Sequence, residues 1–389
     1  MDGRASAARA TPPKPTLADV LRPVLATGGL AMPAHHWKVL RAVVQCRTAA
    51  LGGHHYRCAD CGGGHFVPHS CRNRHCPACQ GANGADWMNR QCDALLPVPY
   101  FHVVFTLPHA LNPLVAQNQA ALYRLLFDSA STTLLTFFKH EMDAQPGITA
   151  VLHTWSQTLL DHYHVHCIVT AGGLRADGRW TAKPAHWLFP VRALSKMFRA
   201  KYRDGLRSLF TTGAIGCHGK LAPMRDGNIF HRWLNGVCRS PWVVYAKRPF
   251  AGPQTVLAYL ARYTHRVGIT NQRLTAFDGG SVTFGYKDYA DHARRKQMSV
   301  SSDEFVRRFR LHILPPRFVK IRHYGLLSTR NRSTRIAQAR AAIRPAAKTT
   351  QRPPAREAPT LRCPHCAGEN LVLIHVSRFA RTPKPPDSS

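Results

Sequence analysis

The segment from residue 162 to residue 170 constrains the fold more than any other, because its side chains alternate in character. It reads His-Tyr-His-Val-His-Cys-Ile-Val-Thr. On a β-strand successive side chains point to opposite faces, so this segment would have one imidazole face and one apolar face. The two faces comprise, respectively, His162, His164 and His166, and Val165, Cys167 and Val169. The pattern predicts a strand that packs on a core through one face and can bind a divalent ion through the other.

The ligands that this strand would supply are predicted to be His164 and His166. Val165, which lies between them, is a better buried spacer than Tyr163, and this favours the pair over the competing pair of His162 and His164. The third ligand stays open among three residues, which are His162, His102 and Gln254. Imidazole suits manganese, zinc, copper or nickel, whereas magnesium prefers oxygen ligands but is abundant in cells. We expect Mg²⁺ or Mn²⁺ at this catalytic position.

The charge of the chain points to a polyanionic partner. It has 53 Lys and Arg against 20 Asp and Glu, a formal net charge of +33. Residues 305–356 contain 14 Lys or Arg and no Asp or Glu. Such a surface favours nucleic acid, whose phosphates neutralise it. Within this run the expected DNA contacts are Arg317, Lys320 and Arg322.

A membrane is the competing polyanionic surface, and the sequence argues against it. No stretch approaches the roughly 18 consecutive apolar residues of a spanning helix. The Met-Asp-Gly-Arg start lacks the apolar core of a signal peptide. We therefore expect a cytoplasmic protein that is associated with the DNA of the nucleoid.

A pair of tyrosines lies in a segment that is predicted to be helical. Pro253 suits the first turn of a helix from Gln254 to Val267, because the N–H that it lacks would have no intrahelical partner there. Tyr259 and Tyr263 are four residues apart and so share a helix face, Tyr259 on the basic side and Tyr263 on the apolar stripe. Both are candidate nucleophiles. Two arginines on the same helix are candidate DNA contacts, Arg262 and Arg266.

Cysteines concentrate near the N-terminus in two Cys-x-x-Cys pairs. The four residues are Cys58, Cys61, Cys76 and Cys79. Their spacing predicts one structural zinc site of four thiolates, and a reducing compartment disfavours disulfides. Neighbouring side chains that could replace or supplement a ligand are Cys71, His65, His69 and His75. Arg72 and Arg74, in the same segment, are candidate DNA contacts.

A further pair, Cys363 and Cys366, lies near the C-terminus. Two thiolates do not complete a zinc site, and the remaining ligands are not identified by the sequence, although His365 and His375 are candidates. A pair of reduced thiols in a small terminal β-element is an equally good interpretation.

The middle of the chain predicts an α+β fold. Strands are expected over 101–106, 148–155 and 164–170, with helices over 113–142 and 192–209 and a further strand over 281–289. We expect an antiparallel sheet with helices on one face and the other face open to DNA and metal. Four segments follow: a disordered N-terminus (1–30), a zinc-binding DNA-contact domain (31–95), a nuclease domain (96–328), and a basic linker or arm with the C-terminal Cys-x-x-Cys element (329–389).

Several motifs together resemble one family. They are Leu-Asp-His-Tyr-His-Val-His-Cys-Ile-Val-Thr-Ala-Gly-Gly-Leu (160–174), Tyr-Leu-Ala-Arg-Tyr-Thr-His-Arg (259–266), Phe-His-Val-Val-Phe-Thr-Leu-Pro-His (101–109), and the segments 286–291 and 314–325. With the cysteine cluster, they resemble the HUH-type two-tyrosine rolling-circle transposases of insertion-sequence family ninety-one. HUH denotes His, hydrophobic residue, His.

The resemblance implies a fold and an activity. The fold would be a ferredoxin-like sheet with the histidines on a central strand. The activity would be nicking of single-stranded or hairpin DNA at element ends, a 5′-phosphotyrosine intermediate, and strand transfer to target DNA.

Two alternative functions use the same features differently. A plasmid rolling-circle replication initiator or relaxase would perform the same nuclease chemistry at an origin. A non-enzymatic zinc-dependent DNA-binding protein would explain the charge and the cysteines, but not the histidine strand or the tyrosine helix. Scattered carboxylates also leave a carboxylate nuclease open, and these include Asp161, Asp288 and Asp291.

Overall fold

The structure is a computed structural model that describes residues 13–28, 31–80, 95–184, 188–247, 267–329, 332–343 and 360–378. The chain divides into two compact units. The first unit comprises the described parts of 1–79, 269–310 and 360–389, and the second comprises those of 80–268 and 311–359. The first unit thus joins three separated pieces of the chain, whereas the sequence suggested four consecutive segments.

The described helices are α1 (Leu17–Thr27), α2 (Ala34–Val44), α3 (Asn112–Gln117), α4 (Gln119–Met142), α5 (Val191–Thr211), α6 (Gly227–Val237), α7 (Ser302–Leu311) and α8 (Arg332–Ala342). Short 3-10 helices cover Ala49–Leu51, His109–Leu111, Gly219–Arg225 and Asn271–Arg273. None of the helices within the described ranges is both long enough and apolar enough to cross a bilayer.

The described strands are β1 (Gly52–Cys58), β2 (Gly64–Pro68), β3 (Tyr100–Thr106), β4 (Ala144–Gln145), β5 (Gly147–Trp155), β6 (Asp161–Thr170), β7 (Gly172–Arg175), β8 (Trp180–Ala182), β9 (Val244–Lys247), β10 (Leu274–Phe277), β11 (Ser281–Asp288), β12 (Arg294–Ser301), β13 (Ile321–Gly325) and β14 (Leu371–Arg378). The predicted strands at 101–106, 148–155, 164–170 and 281–289 are confirmed, as are the helices over 113–142 and 192–209, the former broken at Asn118.

The second unit contains a five-stranded sheet in the order β13-β5-β6-β3-β9, and every neighbouring pair is antiparallel. The predicted histidine strand, β6, is the central strand. The register places His164 opposite His153 of β5 and Thr106 of β3. A smaller sheet, β4-β7-β8, accompanies it. The chain is therefore a mixed α and β protein built on antiparallel sheets, as the sequence predicts.

One face of the large sheet forms the main core. Val165, Cys167 and Val169 are fully buried there, against apolar side chains of α4, α5 and α6. Phe198 of α5 is one of these, and burying such a side chain stabilises the fold by about 1.5–3 kcal/mol. The alternation in the sequence therefore specifies which face of β6 meets the helices.

The opposite face is not left free of helices, which corrects the expectation of helices on one side alone. Ile336 and Ala339 of α8 cluster with Tyr100 and Ile168, which belong to the histidine face of β3 and β6. The apolar side chains at this end of the face account for the packing, because they would otherwise be exposed to water.

The first unit contains the sheets β14-β1-β2 and β10-β11-β12. Helix α1 lies within the stretch predicted to be disordered, and that prediction is corrected. Thr16 caps the helix reciprocally with Asp19, and the helix buries an apolar stripe that includes Leu17 and Leu21. The alanine- and proline-rich composition around it obscured this signal.

Candidate functional site

Three histidines converge on the second face of the large sheet. They are His153, His164 and His166, and one ring nitrogen of each lies within 4.8 Å of the others. His164 and His166 are two residues apart on β6, and His153 is the partner of His164 across the β5–β6 pair. All three are buried, with exposed fractions of 3%, 9% and 8% in chain order. Antiparallel pairing thus builds the cluster from two strands.

The ring orientations in this cluster are set by hydrogen bonds. His164 Nδ1 donates to the carbonyl oxygen of His162 at 2.8 Å, which leaves Nε2 as the nitrogen with a lone pair. His166 Nδ1 lies 2.8 Å from Nε2 of His102, and the two rings are nearly parallel. In the tautomer in which His166 donates to His102, Nε2 of His166 also presents a lone pair. Such second partners of ligating histidines fix ring position and basicity.

Burial favours the neutral form of three histidines in this region, His102, His162 and His164. Burial lowers the pKa of His164 to about 3. Burial, and then the charge of Lys247, lowers the pKa of His102 to about 4. Burial, followed by the charge of His109, also lowers the pKa of His162. A neutral imidazole is the form that binds a cation. Buried, oriented, uncharged nitrogen donors therefore fit a divalent metal ion.

The predicted ligands are only partly those that the structure brings together. His164 and His166 lie in the cluster, but the third member is His153 and not His162. His162 contributes its carbonyl oxygen to His164, and its ring lies 5.6 Å from that of His109. His102, another candidate, lies against His166 as a hydrogen-bond partner. His153 was missed because a single histidine in an apolar strand gives no sign of its cross-strand partner until the register is known.

The predicted nucleophiles and their helix lie outside the described residues. This applies to Tyr259, Tyr263, Arg262 and Arg266, and also to the ligand candidate Gln254. Their roles stay predictions.

The cysteines of the first unit form two clusters in place of the single predicted site. In each cluster the four sulfur atoms lie within 4.8 Å of one another. The first consists of Cys46, Cys71, Cys76 and Cys79, and the second of Cys58, Cys61, Cys363 and Cys366. The set of Cys58, Cys61, Cys76 and Cys79 is therefore not brought together, and that prediction is corrected.

The β1–β2 hairpin explains this division. Cys58 and Cys61 lie at its turn, between the end of β1 and the start of β2. Cys76 and Cys79 follow β2 and so lie at the open end, where the N–H of Arg47 donates to the carbonyl oxygen of His69 at 3.1 Å. A seven-residue strand is about 20 Å long, which is too far for one metal ion. Cys46 precedes β1, lies at the same open end, and was missed.

The first cluster has the geometry of a thiolate metal site. The sulfur of Cys79 lies 3.5 Å from that of Cys46 and 3.6 Å from that of Cys71. In a zinc tetrahedron with Zn–S bonds of about 2.3 Å, sulfur atoms are about 3.8 Å apart. A hydrogen bond from the Cys71 thiol, together with other donors, lowers the pKa of Cys76 to about 5 despite burial. The donor set therefore fits structural zinc.

The predicted DNA-contact residues differ in their surroundings. Arg72 and Arg317 are exposed, whereas Arg74 is half-buried and burial lowers its pKa. The ammonium of Lys320 lies 4.9 Å from the centre of the Trp155 ring. None of these contacts conflicts with a role at a DNA surface, and for these residues the role stays a prediction.

Arg322 is different, because it belongs to the helix-covered face. It pairs with Ala150 in the register, and its guanidinium lies 4.5 Å from the Phe127 ring centre and 3.9 Å from a carboxylate oxygen of Asp128. The side chain is 22% exposed. Arg322 thus packs the sheet against α4, so we expect this residue to stabilise the fold and not to contact DNA.

Comparison with known proteins identifies the family. A family model described as "Putative transposase" matches residues 147–335, and one described as "Transposase zinc-binding domain" matches residues 18–107. The chain is 42% identical over 353 residues to "Putative transposase y4qJ" of Sinorhizobium fredii, covering 87% of this chain and 89% of that protein. It is 29% identical over 298 residues to the transposase for insertion sequence element IS801 of Pseudomonas savastanoi, covering 74% of this chain and 69% of that protein. No solved structure matches the chain.

The two matched regions correspond to the two kinds of cluster. The first matched region contains Cys46 and the other N-terminal cysteines, and the second contains the three clustered histidines. DNA is the partner that a transposase implies. The chain therefore belongs to the transposases of insertion-sequence family ninety-one, and it carries the zinc-binding domain of that family near its N-terminus.

Proposed function

We propose that this transposase nicks single-stranded DNA at the ends of an insertion element and joins the released end to another strand, through a 5′-phosphotyrosine intermediate and a metal ion at the histidine cluster. The observation that carries the proposal is the convergence of three buried histidines within 4.8 Å of one another, with His164 and His166 on the central strand β6 and His153 on its neighbour β5. A cluster of this kind has no structural purpose that apolar side chains would not serve better.

The strand order supports a ferredoxin-like nuclease domain. Apart from the short strands of the smaller sheet, the strands from β3 to β9 and the helical segments between them follow one another as β-α-β-β-α-β. In the sheet these four strands lie in the order β9-β3-β6-β5, with all neighbours antiparallel. This order agrees with a ferredoxin-like arrangement that has β13 added at one edge, and it supports that part of the proposal. It places the histidine strand beside the first strand of the unit.

The residues of the cluster would hold and tune the metal. When bound, a divalent cation there supplies Lewis-acid polarisation of a phosphate oxygen. The carbonyl oxygen of His162 holds His164 in its tautomer, and His102 orients His166. Lys247, which pairs with His102 in the register, adds positive charge beside the site. Positive charge at this position would stabilise the charge that develops on phosphate during transfer.

The chemistry of the nick assigns roles to the predicted tyrosines. The phenol oxygen of Tyr259 or Tyr263 attacks phosphorus, the new O–P bond forms as the bond to the 3′ oxygen breaks, and the phenol proton is released while the 3′ oxygen gains one. A free phenol has a pKa of about 10, so nearby positive charge must favour the phenolate. Because the phosphotyrosine link keeps the energy of the phosphodiester, another 3′-OH can attack it without ATP. A second tyrosine allows a second cleavage while the first end is held.

The test is covalent capture of DNA. Purified protein is incubated with single-stranded element-end DNA and Mn²⁺ or Mg²⁺, and adducts are resolved on denaturing gels. We expect an adduct with the unmodified protein and with the control His140→Ala, an exposed position on α4. We expect none with His164→Ala or His166→Ala, although both should still bind DNA, because the basic surface supplies affinity.

Mass spectrometry of the trapped peptide then identifies the nucleophile. We expect Tyr259→Phe to lose the first adduct and Tyr263→Phe to lose mainly the later exchange. A nucleotide-bearing peptide without either tyrosine would overturn the mechanism. DNA binding without any adduct would favour the non-enzymatic alternative, and cleavage of a plasmid origin but not of element ends would favour an initiator.

A further inference from the structure

The second cysteine cluster joins the two ends of the sequence. Cys58 and Cys366 are 308 positions apart, and Cys61 and Cys363 are 302 positions apart. The C-terminal pair lies outside the region that matches the transposase zinc-binding domain, residues 18–107. The match to the zinc-binding domain therefore assigns no role to Cys363 and Cys366.

The N-terminal half of this cluster is a tight turn built around sulfur. The N–H of Cys58 donates to the carbonyl oxygen of Gly63, and the N–H of Gly62 donates back to the carbonyl oxygen of Cys58, both at 2.9 Å. Gly62 has a φ of 72°, in the left-handed region. Cys61 lies within the loop that these bonds close.

The C-terminal half repeats the hydrogen-bond pattern and the left-handed residue of this turn. The N–H of Cys363 donates to the carbonyl oxygen of Gly368, and the N–H of Ala367 donates back to the carbonyl oxygen of Cys363, both at 2.8 Å. Ala367 has a φ of 58°, although it has a Cβ and this conformation costs an alanine energy. The same left-handed turn recurs at each Cys-x-x-Cys pair, and it is kept at Ala367 despite the strain, which indicates that the sequence specifies the position of the sulfur atoms.

The two turns face each other closely. The side-chain amide of Asn370 donates to a carboxylate oxygen of Asp60 at 2.7 Å. A Cβ at Gly368 would lie 2.2 Å from the other carboxylate oxygen of Asp60, and a Cβ at Gly63 would lie 2.6 Å from the ring of His365. A side chain at either glycine would displace the Asp60 carboxylate or the His365 ring, so glycine allows the two turns to approach closely beside the four sulfur atoms.

The sulfur positions fit a metal ion and not disulfides. Across the two turns, Cys58 and Cys366 are 3.6 Å apart at sulfur, and Cys61 and Cys363 are 3.7 Å apart. A zinc tetrahedron requires about 3.8 Å, whereas a disulfide requires about 2.05 Å. Four cysteines without a metal would gain little from converging in this way, since thiols are weak hydrogen-bond partners.

We propose that Cys58, Cys61, Cys363 and Cys366 bind one structural zinc ion, distinct from any metal at the Cys46 cluster, and that this ion fastens the C-terminal strand β14 to β1. The strand needs such a link, because most of its apolar side chains are exposed and give it little core: Val372, Leu373, Ile374 and Val376. Metal binding supplies the folding energy that a small element without a core lacks.

The test measures zinc per chain in the full-length protein by mass spectrometry of metals after dialysis. We expect the double variant Cys363→Ser, Cys366→Ser to contain one zinc ion fewer than the unmodified protein. Because the difference is measured, zinc bound at other sites does not affect the result. The control Cys238→Ser, a cysteine outside both clusters, should lose none.

Two further measurements separate ligation from folding. Cys366→His, at an exposed position, should keep the ion because imidazole also binds zinc, whereas Cys366→Ser should not. In hydrogen exchange, the amides of β14 should lose protection in the double serine variant, while those of β6 keep theirs. An unchanged zinc content in the double variant, or alkylation that shows Cys363 and Cys366 to be oxidised in the purified protein, would overturn the proposal. These outcomes do not depend on the nuclease reaction, so they leave its test separate.

Discussion

Replacing His153 distinguishes the ligand set in the structure from a set completed by His162, one of the three candidates that the sequence leaves open. His153→Ala removes one of three clustered nitrogens and leaves His164 and His166 in place. His162→Ala removes an imidazole that the sequence places on the same strand face, but it keeps the backbone carbonyl oxygen that orients His164. The two variants therefore test whether the third ligand is His153 of β5 or His162 of β6.

The size of the effect follows from the contacts of each residue. Loss of a partner that only orients a ligand lowers metal affinity by about 10–100-fold. Loss of a ligand should cost more, so we expect His153→Ala to weaken Mn²⁺ binding by at least about 100-fold, or about 2.7 kcal/mol at 1.36 kcal/mol per factor of ten. His162→Ala should retain most of the affinity. A buried cavity at position 153 also costs stability, so thermal unfolding must show that the variant is folded at the assay temperature.

The assay is a titration of Mn²⁺ against formation of the covalent DNA adduct, with isothermal calorimetry of Mn²⁺ binding in the absence of DNA. The half-saturating concentration should rise strongly for His153→Ala in both. The opposite result would be an unchanged half-saturating Mn²⁺ concentration for His153→Ala and a large increase for His162→Ala. In that case the ligands are the three histidines of β6, and the assignment of His153 is wrong.

Three further predictions concern other residues of the second unit. His102→Ala should lower metal affinity by about 10–100-fold with little loss of DNA affinity, as measured by the same titration and by fluorescence anisotropy. Burial lowers the pKa of His312 to about 4, so its neutral form contributes stability that is present above pH 6.5 and lost as pH falls toward 4. Protonation of His312 should change the free energy of unfolding by up to about 1.4 kcal/mol per pH unit. In urea unfolding between pH 7 and 4.5, the free energy of unfolding of His312→Gln should therefore fall less steeply with pH than that of the unmodified protein, by up to this amount. Arg322→Ala should lower stability by about 1–2 kcal/mol and leave DNA affinity unchanged, whereas Arg317→Ala should lower DNA affinity and reduce its salt slope by about one; equal effects on DNA affinity would contradict the burial of Arg322.

Three neighbouring strands of the large sheet, β3, β5 and β6, could be predicted because their physical signal is local. Alternation from His162 to Val169 specifies the strand and its two faces, since one face must leave water. The same signal does not specify the neighbours of a strand. His153 becomes a ligand candidate only through its pairing with His164, and register depends on contacts that are distant in sequence. The packing of α8 on the histidine face could not be predicted for the same reason, because it depends on contacts between residues that are distant in sequence.

Charge in the sequence predicts a partner but not a contact. Arg317 and Arg322 belong to the same run without carboxylates, yet one is exposed and the other packs on Phe127. Arginine serves both purposes because its alkyl stem and its flat guanidinium pack on apolar and aromatic surfaces. Composition therefore supports DNA as the partner of the chain. Whether a particular arginine can contact DNA depends on its position in the fold.

The cysteines also show that the sequence predicts local pairs but not how these pairs combine. Spacing within a Cys-x-x-Cys pair is local, and it identifies each pair as half of a thiolate site. Which halves combine depends on where a hairpin places its turn and its open end, and on the return of a strand from the far end of the chain. A count of N-terminal cysteines favours joining the two nearest pairs. The length of β1 forbids that, because its two ends are about 20 Å apart. The hairpin therefore explains why two further sets of cysteines are needed. Cys363 and Cys366 complete the cluster at its turn, and Cys46 and Cys71 complete the cluster at its open end.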